Sequence, residues 1–176
     1  RVGMITNEGK SVLADHLIML LSKHYLEEKK GAIIFDVKCS NQLPILIENS
    51  GGEAIMEKTG HFNIKRAIKK HDAVLGGEMS GHIFINYDWY GFDDAVYTAA
   101  ILAKVISDTG QPASNVIEQF PKTFATPELN LDVDDVKKFK MVERFKEQMQ
   151  FPDAEFNTVD GVRVSIGSSW GLMRAS

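Results

Sequence analysis

The sequence predicts an α/β fold followed by a shorter α+β module. Strand-like and helix-like stretches alternate as far as Asp108, the pattern of an α/β unit. The run Ala32-Ile33-Ile34-Phe35-Asp36-Val37 is almost continuously apolar, as a strand covered on both faces requires. Pro112, Pro121 and Pro127 then cluster like a linker, and a helix with strand-like segments follows them. With 176 residues, 44% hydrophobic and 25% charged, the chain has material for a packed core and does not have a disordered composition.

Each element has its own signal. A short strand at Arg1–Thr6 leads into a turn, Asn7-Glu8-Gly9-Lys10. A helix is expected from about Val12 to Glu28, with Leu13, Leu17, Leu21 and Tyr25 on one face and Asp15, Ser22 and Lys23 off it. Gly31 stops it, and the apolar run at 32–37 follows. A short helix at 42–48 ends at Gly51-Gly52, and a strand covers 53–58. After the turn Thr59-Gly60-His61 comes a short basic helix at 63–70. Strands are expected at 73–79 and 82–86, then a helix at 93–108 with Val96, Ala99, Ala100 and Ala103 on one face. Beyond the proline cluster the pattern gives a strand at 128–133 and a helix at 136–148, with Phe139, Val142, Phe145 and Met149 on one face. A hairpin through Asp160-Gly161 and 162–166 and a last strand at 170–175 complete the chain.

Bulk chemistry narrows the function. The net charge of −4 gives no basic field for nucleic acid, so an anionic ligand needs positive charge gathered locally. A single cysteine, Cys39, fits a reducing compartment. No stretch reads as a signal peptide or is long enough to span a membrane, so a cytoplasmic location is expected. Both ends read as the inside of a strand, as in a piece of a larger protein. Nothing in the pattern speaks to oligomeric state.

Several motifs are excluded or left open. Gly9-Lys10-Ser11 lacks the glycine five positions upstream, where Met4 stands, and reads as a plain turn rather than a phosphate loop. No GxGxxG is present, and the five histidines show no metal-ligand spacing. His16 and His24 read as solvated residues of the first helix. Lys38-Cys39-Ser40, Thr59-Gly60-His61 and GGEMSGH (76–82) all fall at strand ends, where ligands gather in open α/β sheets. Glu78 suits a vicinal diol, Ser80 donates or accepts, and His82 is a donor or proton carrier. Gly77 and Gly81 would let a ligand approach the backbone. The same loop also reads as a hairpin turn. Lys38 is either a phosphate-holding or proton-accepting lysine or a solvated one, and His61 is similarly open. Arg174 either grips a phosphate or is structural.

FDVKCS (35–40), KTGH (58–61), GGEMSGH followed by IF, GFDDAVY (91–97) and DGVRV…WGLMRAS (160–176) occur in one order and spacing. Together they resemble the second half of a bacterial phosphomannomutase/phosphoglucomutase, of the α-D-phosphohexomutase superfamily. The resemblance covers nearly the whole chain and implies a mixed sheet with helices followed by a truncated α+β domain. It implies that residues 1–10 are the tail of a metal-binding domain, 11–121 a sugar-binding domain and 122–176 a phosphate-binding domain cut short.

The resemblance also implies a reaction. A phosphoserine donates to a hexose phosphate, a hexose 1,6-bisphosphate forms and reorients, and a phosphoryl group returns to the serine. Glu78, Ser80 and His82 would line the sugar site, and Arg174 and Ser176 would begin the phosphate loop. Lys38 and His61 would assist proton transfer or orient substrate. Arg1 would close the loop that holds Mg²⁺, whose aspartates, like the serine loop, do not occur in these residues. The fragment alone is expected to be inactive. The nearest alternative is phosphoglucosamine mutase, where Gln is expected in place of Met79; a non-catalytic sugar-phosphate binding module is another.

Overall fold

The first pairing in the chain is local. Met4–Ile5 (β1) and Ser11–Val12 (β2) run antiparallel around a turn in which Gly9 has φ +78°, and the Gly9 N–H bonds the Thr6 carbonyl. The computed structural model describes residues 1–175, so Ser176 of the expected phosphate loop lies outside the described residues. Ser11 and Val12 are therefore strand rather than the start of a helix. Helix α1 begins later, at Ala14–Glu28, with Leu13 at its N-cap.

The first unit, Arg1–Lys122, is built on a four-stranded mixed sheet. Its strands are Ala32–Asp36 (β3), Glu53–Glu57 (β4), Leu75–Gly77 (β5) and Ile83–Ile85 (β6), in the order β4-β3-β5-β6. β3 runs parallel to β4 and β5, whereas β5 and β6 form an antiparallel hairpin. Helices Gln42–Asn49 (α2) and His61–His71 (α3) make the crossovers. Ala95–Asp108 (α4) follows, capped by Asp94, whose carboxylate accepts from the Val96 and Tyr97 amides and from Trp89 Nε1–H. That cap satisfies amides the helix itself cannot, an effect of about 1 kcal/mol. A short helix, Ala113–Glu118 (α5), occupies part of the expected linker.

Burial corrects several faces read from periodicity. Residues 17 to 22 of α1 are all buried, because one side meets the sheet and the others meet α2 and α4. Asp15 and Ser22 are thus buried too, while Leu13 is exposed. His16 is not simply solvated: its ring stacks on Phe120 at 5.8 Å. The Val96, Ala99, Ala100 and Ala103 face of α4 points outward; Thr98, Leu102 and Val105 are buried instead. The small alanines lose the inward position to larger side chains that remove more apolar area from water.

The second unit, from Thr123 onward, carries helix Asp135–Gln148 (α6) and a three-stranded antiparallel sheet. Its strands are Glu155–Asn157 (β7), Val162–Ile166 (β8) and Ser169–Met173 (β9). The strand expected at 128–133 does not form: those residues have no regular structure, most are exposed, and none pairs with a neighbouring strand. An isolated apolar–polar alternation has no ladder to satisfy its backbone. Of the expected α6 face only Val142 is buried; Phe139 and Phe145 are exposed.

Two glycines fix how helices pack on the sheet. A Cβ on Gly76 would lie 2.6 Å from Ile68 Cδ1 of α3, and one on Gly77 would lie 2.5 Å from Ile18 Cδ1 of α1. Successive strand residues face opposite sides, so each glycine admits the helix on its own side. Gly77 therefore receives Ile18 rather than a ligand. Gly77→Ala is expected to cost about 1–3 kcal/mol by overpacking. In an Ile18→Ala background the added penalty should shrink, since the clashing carbons are gone. Urea denaturation of the four variants of this cycle checks it; strict additivity would refute the close-packing account.

Candidate functional site

The parallel register brings the ends of β3, β4 and β5 to one edge: Asp36 lies opposite Glu57, and Phe35 opposite Gly77. The three polar stretches that follow those strands therefore converge there, as the sheet rule predicts. Asp36 ends β3 and is fully buried. Its Oδ1 accepts from the Cys39 thiol at 3.2 Å and the Met79 N–H at 3.0 Å; its Oδ2 accepts from the Thr59 hydroxyl at 3.1 Å. One carboxylate thus touches all three loops.

A second acid repeats the pattern. Glu78 is 2% exposed, and its Oε1 accepts the Gly60 N–H at 2.6 Å. Its Oε2 is buried with no hydrogen-bond partner among the described residues. Ser80 is exposed at the tip of the hairpin. Gly81, at φ +87°, holds its carbonyl to the Val2 N–H, and a Cβ there would lie 2.7 Å from the Val2 carbonyl. Backbone from the start of the chain fills the space beside Gly81, so neither hairpin glycine serves ligand approach. The Asp15 carboxylate accepts the Ser40 N–H at 3.2 Å, which pins the turn that carries Lys38.

The imidazole of His82 lies between two charged side chains. Arg1 Nε–H donates to His82 Nε2 at 3.0 Å, and His82 Nδ1 lies 2.8 Å from Asp93 Oδ2. Because Nε2 accepts, Nδ1 carries the proton and donates it to Asp93. The His61 ring, at the start of α3, lies 6.3 Å from that of His82. Arg1, His61, Glu78, Ser80 and His82 thus share the first unit's strand-end edge, and Lys38 sits in the turn after β3. Arg174 belongs to the second unit, where its Nε lies 3.3 Å from Asp160 Oδ2. Gly161 at φ +80° lies against the Met173 carbonyl and Arg174, which lets that ion pair close.

The sequence reading missed Asp36, Thr59 and Asp93. Asp36 had a signal: a charged residue ending a run of otherwise buried type must find partners there. Asp93 was masked by Asp94, which caps α4. Among the described residues no group of three or more His, Cys, Asp or Glu side chains comes together in a way that could hold a metal. Of the acids at this edge, Asp36 and Glu78 accept from loop donors and Asp93 from an imidazole.

Burial alone would raise the Asp93 carboxyl. A backbone hydrogen bond, the hydrogen bond from His82 and the charge of Lys65 outweigh it, so the Asp93 pKa lies below the ordinary value of 3.8. A carboxyl lower in the folded than the unfolded chain stabilises above the unfolded pKa, and that contribution disappears as pH falls through the folded value. Urea unfolding followed downward from about pH 5 should therefore show wild type losing stability more steeply than Asp93→Asn. Equal slopes would mean that the His82 contact is energetically silent.

The chain matches the family phosphoglucomutase/phosphomannomutase, alpha/beta/alpha domain III, over residues 14–124. It is 48% identical over 177 residues to a phosphomannomutase/phosphoglucomutase of Pseudomonas putida, covering all of this chain and 38% of that protein. A phosphoglucomutase of Neisseria gonorrhoeae is 41% identical over 179 residues, again covering all of this chain and 39% of that protein. A crystal structure of a phosphoglucomutase/phosphomannomutase family protein from Burkholderia thailandensis superposes with TM-score 0.91 at 35% identity, covering 99% of this chain and 37% of that one. The chain thus spans just over a third of the length of these relatives. No helix among the described residues is long and apolar enough to cross a membrane. By sequence over residues 14–124 and by fold over nearly its whole length, the chain belongs to the phosphoglucomutase/phosphomannomutase family.

Proposed function

We propose that this chain forms the sugar-holding part of an enzyme that interconverts the 1- and 6-phosphates of mannose or glucose through a phosphoserine and a bisphosphorylated sugar. The observation that carries the reading is Glu78. One carboxylate oxygen is fixed by the Gly60 N–H while the other is buried without a partner among the described residues. Such an oxygen is costly, by about 1–3 kcal/mol, until a donor reaches it. A sugar hydroxyl is such a donor, and Glu78 pivoting about the Gly60 N–H would present it beside Ser80.

The other residues divide the remaining tasks. A hydroxyl that accepts a phosphoryl group must lose its proton, and a neutral imidazole with a carboxylate behind it is suited to take it. His82, backed by Asp93, has that arrangement, with Nε2 available once Arg1 releases it. His61 and Lys38 would orient the phosphate or relay protons from the adjoining loops. Arg174 and Ser176 would hold the substrate's phosphate, Arg174 exchanging Asp160 for it. Residues 1–10, 11–121 and 122–176 would then be the end of a metal-binding domain, the sugar-binding domain and the start of the phosphate-binding domain. Mg²⁺, held elsewhere in the enzyme, would neutralise charge on the transferring group.

The full-length parent is expected to convert glucose 1-phosphate and mannose 1-phosphate to their 6-phosphates. Glu78→Gln there should lower kcat/KM by about 10–100-fold, the loss expected when a hydrogen bond to a charged group is removed. The 176-residue chain alone should bind hexose phosphate only weakly and should not turn it over. A parent inactive on both sugars would sink the reading. Preference for glucosamine 6-phosphate would transfer it to phosphoglucosamine mutase, and binding without any turnover would leave a non-catalytic module.

A further inference from the structure

We propose that Asp36 is a positioning residue that sets the register of the three strand-end loops, with the Thr59 hydroxyl as the contact through which it places Glu78. This rests on reading those loops as the hexose-phosphate site. The argument is geometric. Asp36 is fully buried at the end of the central strand β3, which pairs with both β4 and β5. Its donors come from three different segments: the Cys39 thiol from its own turn, the Thr59 hydroxyl from the loop after β4, and the Met79 N–H from the hairpin after β5. Two of those segments are joined again by the Gly60 N–H on Glu78 Oε1 at 2.6 Å.

Five residues and three hydrogen bonds close a ring. Asp36 holds Thr59; the next residue, Gly60, holds Glu78; the residue after Glu78, Met79, returns to Asp36. Closure fixes where Glu78 stands relative to α3, and hence to His61 at its first position. Neither Asp36 nor Thr59 needs to touch a ligand for this. The buried carboxylate accepts from both sides, and no neutral side chain of its size does so. An asparagine would turn its NH₂ toward Thr59, whose hydroxyl can rotate to accept, because the Met79 N–H cannot. Removing the Thr59 hydroxyl instead opens the ring at one point and leaves Asp36 in place.

The test uses the 176-residue chain, with amide hydrogen exchange at Gly60 and Met79 and titration with glucose 1-phosphate. Thr59→Val should speed Gly60 exchange by about tenfold or more, the loss of one charge-assisted hydrogen bond. It should weaken glucose 1-phosphate binding by a similar factor. Thr59→Ser, which keeps the hydroxyl, should stay within about threefold of wild type on both readouts. Asp36→Asn should speed exchange at Gly60 more than at Met79. If Thr59→Val leaves Gly60 exchange and binding unchanged, or Thr59→Ser fails as badly as Thr59→Val, the positioning role is wrong. If wild type itself does not bind glucose 1-phosphate, the functional reading fails, and the Gly60 and Met79 exchange rates still decide whether Asp36 sets the loops.

Discussion

The edge where the loops converge depends on one buried acid. Asp36 ends a strand whose preceding residues are all buried, and a carboxylate there survives only if its oxygens are satisfied. The donors that satisfy it come from loops that the sheet alone would leave loosely held. The parallel pairing of β3 with β4 and β5 puts three chain reversals within reach of one side chain. The side chain then fixes their mutual offsets to hydrogen-bond tolerance. Topology supplies the neighbourhood and electrostatics supplies the precision.

This division explains what was legible in the sequence. The strands at 32–36, 53–57 and 83–85 and the main helices are readable because burial imposes a period, and the period survives in the residue order. The convergence of the polar stretches follows from strand-end logic alone. What periodicity cannot show is which face of a helix wins. On α4 both faces carry apolar residues, and the choice falls to the bulk of Leu102 and Val105 over three alanines. Nor does local pattern reveal absent partners: 128–133 alternates like a strand but has nothing to pair with.

The glycines show the same limit more sharply. GGEMSGH reads equally as a loop opened for a ligand or as a hairpin turn. In the fold it is a hairpin, and both glycine pairings are internal: Gly77 with Ile18, Gly81 with the backbone of Val2. Missing side chains mark close approach without saying by what. The acidic member of the motif is the informative one, because its unsatisfied oxygen has no structural explanation within the described residues. Glu78, Ser80 and His82 lie within five residues of one hairpin, and their chemistry and strand-end position are readable from the residue order. Asp36, which anchors the hairpin through the Met79 N–H, stands in the sequence as an acid ending an apolar run, whereas Asp93 is hidden beside the helix-capping Asp94.

Three acids at this edge are chemically alike and differ in role because their donors differ. Asp36 accepts from fixed donors, a thiol, a hydroxyl and an amide, and is fully buried, which suits it to holding. Asp93 accepts from an imidazole, and its side chain keeps 29% of its exposure, so it sets the tautomer of His82 from a partly open position. Glu78 meets one fixed donor and has one oxygen left over. An acid with fixed donors on both oxygens serves as scaffold, and one that accepts from an imidazole fixes its tautomer. Glu78 keeps an oxygen with no partner among the described residues, as Asp15 behind the Lys38 turn also does, and it alone of the two is flanked by the exposed Ser80 hydroxyl. The count of occupied oxygens together with the neighbouring Ser80 hydroxyl, more than the identity of the residues, therefore supports the sugar-holding role proposed for Glu78.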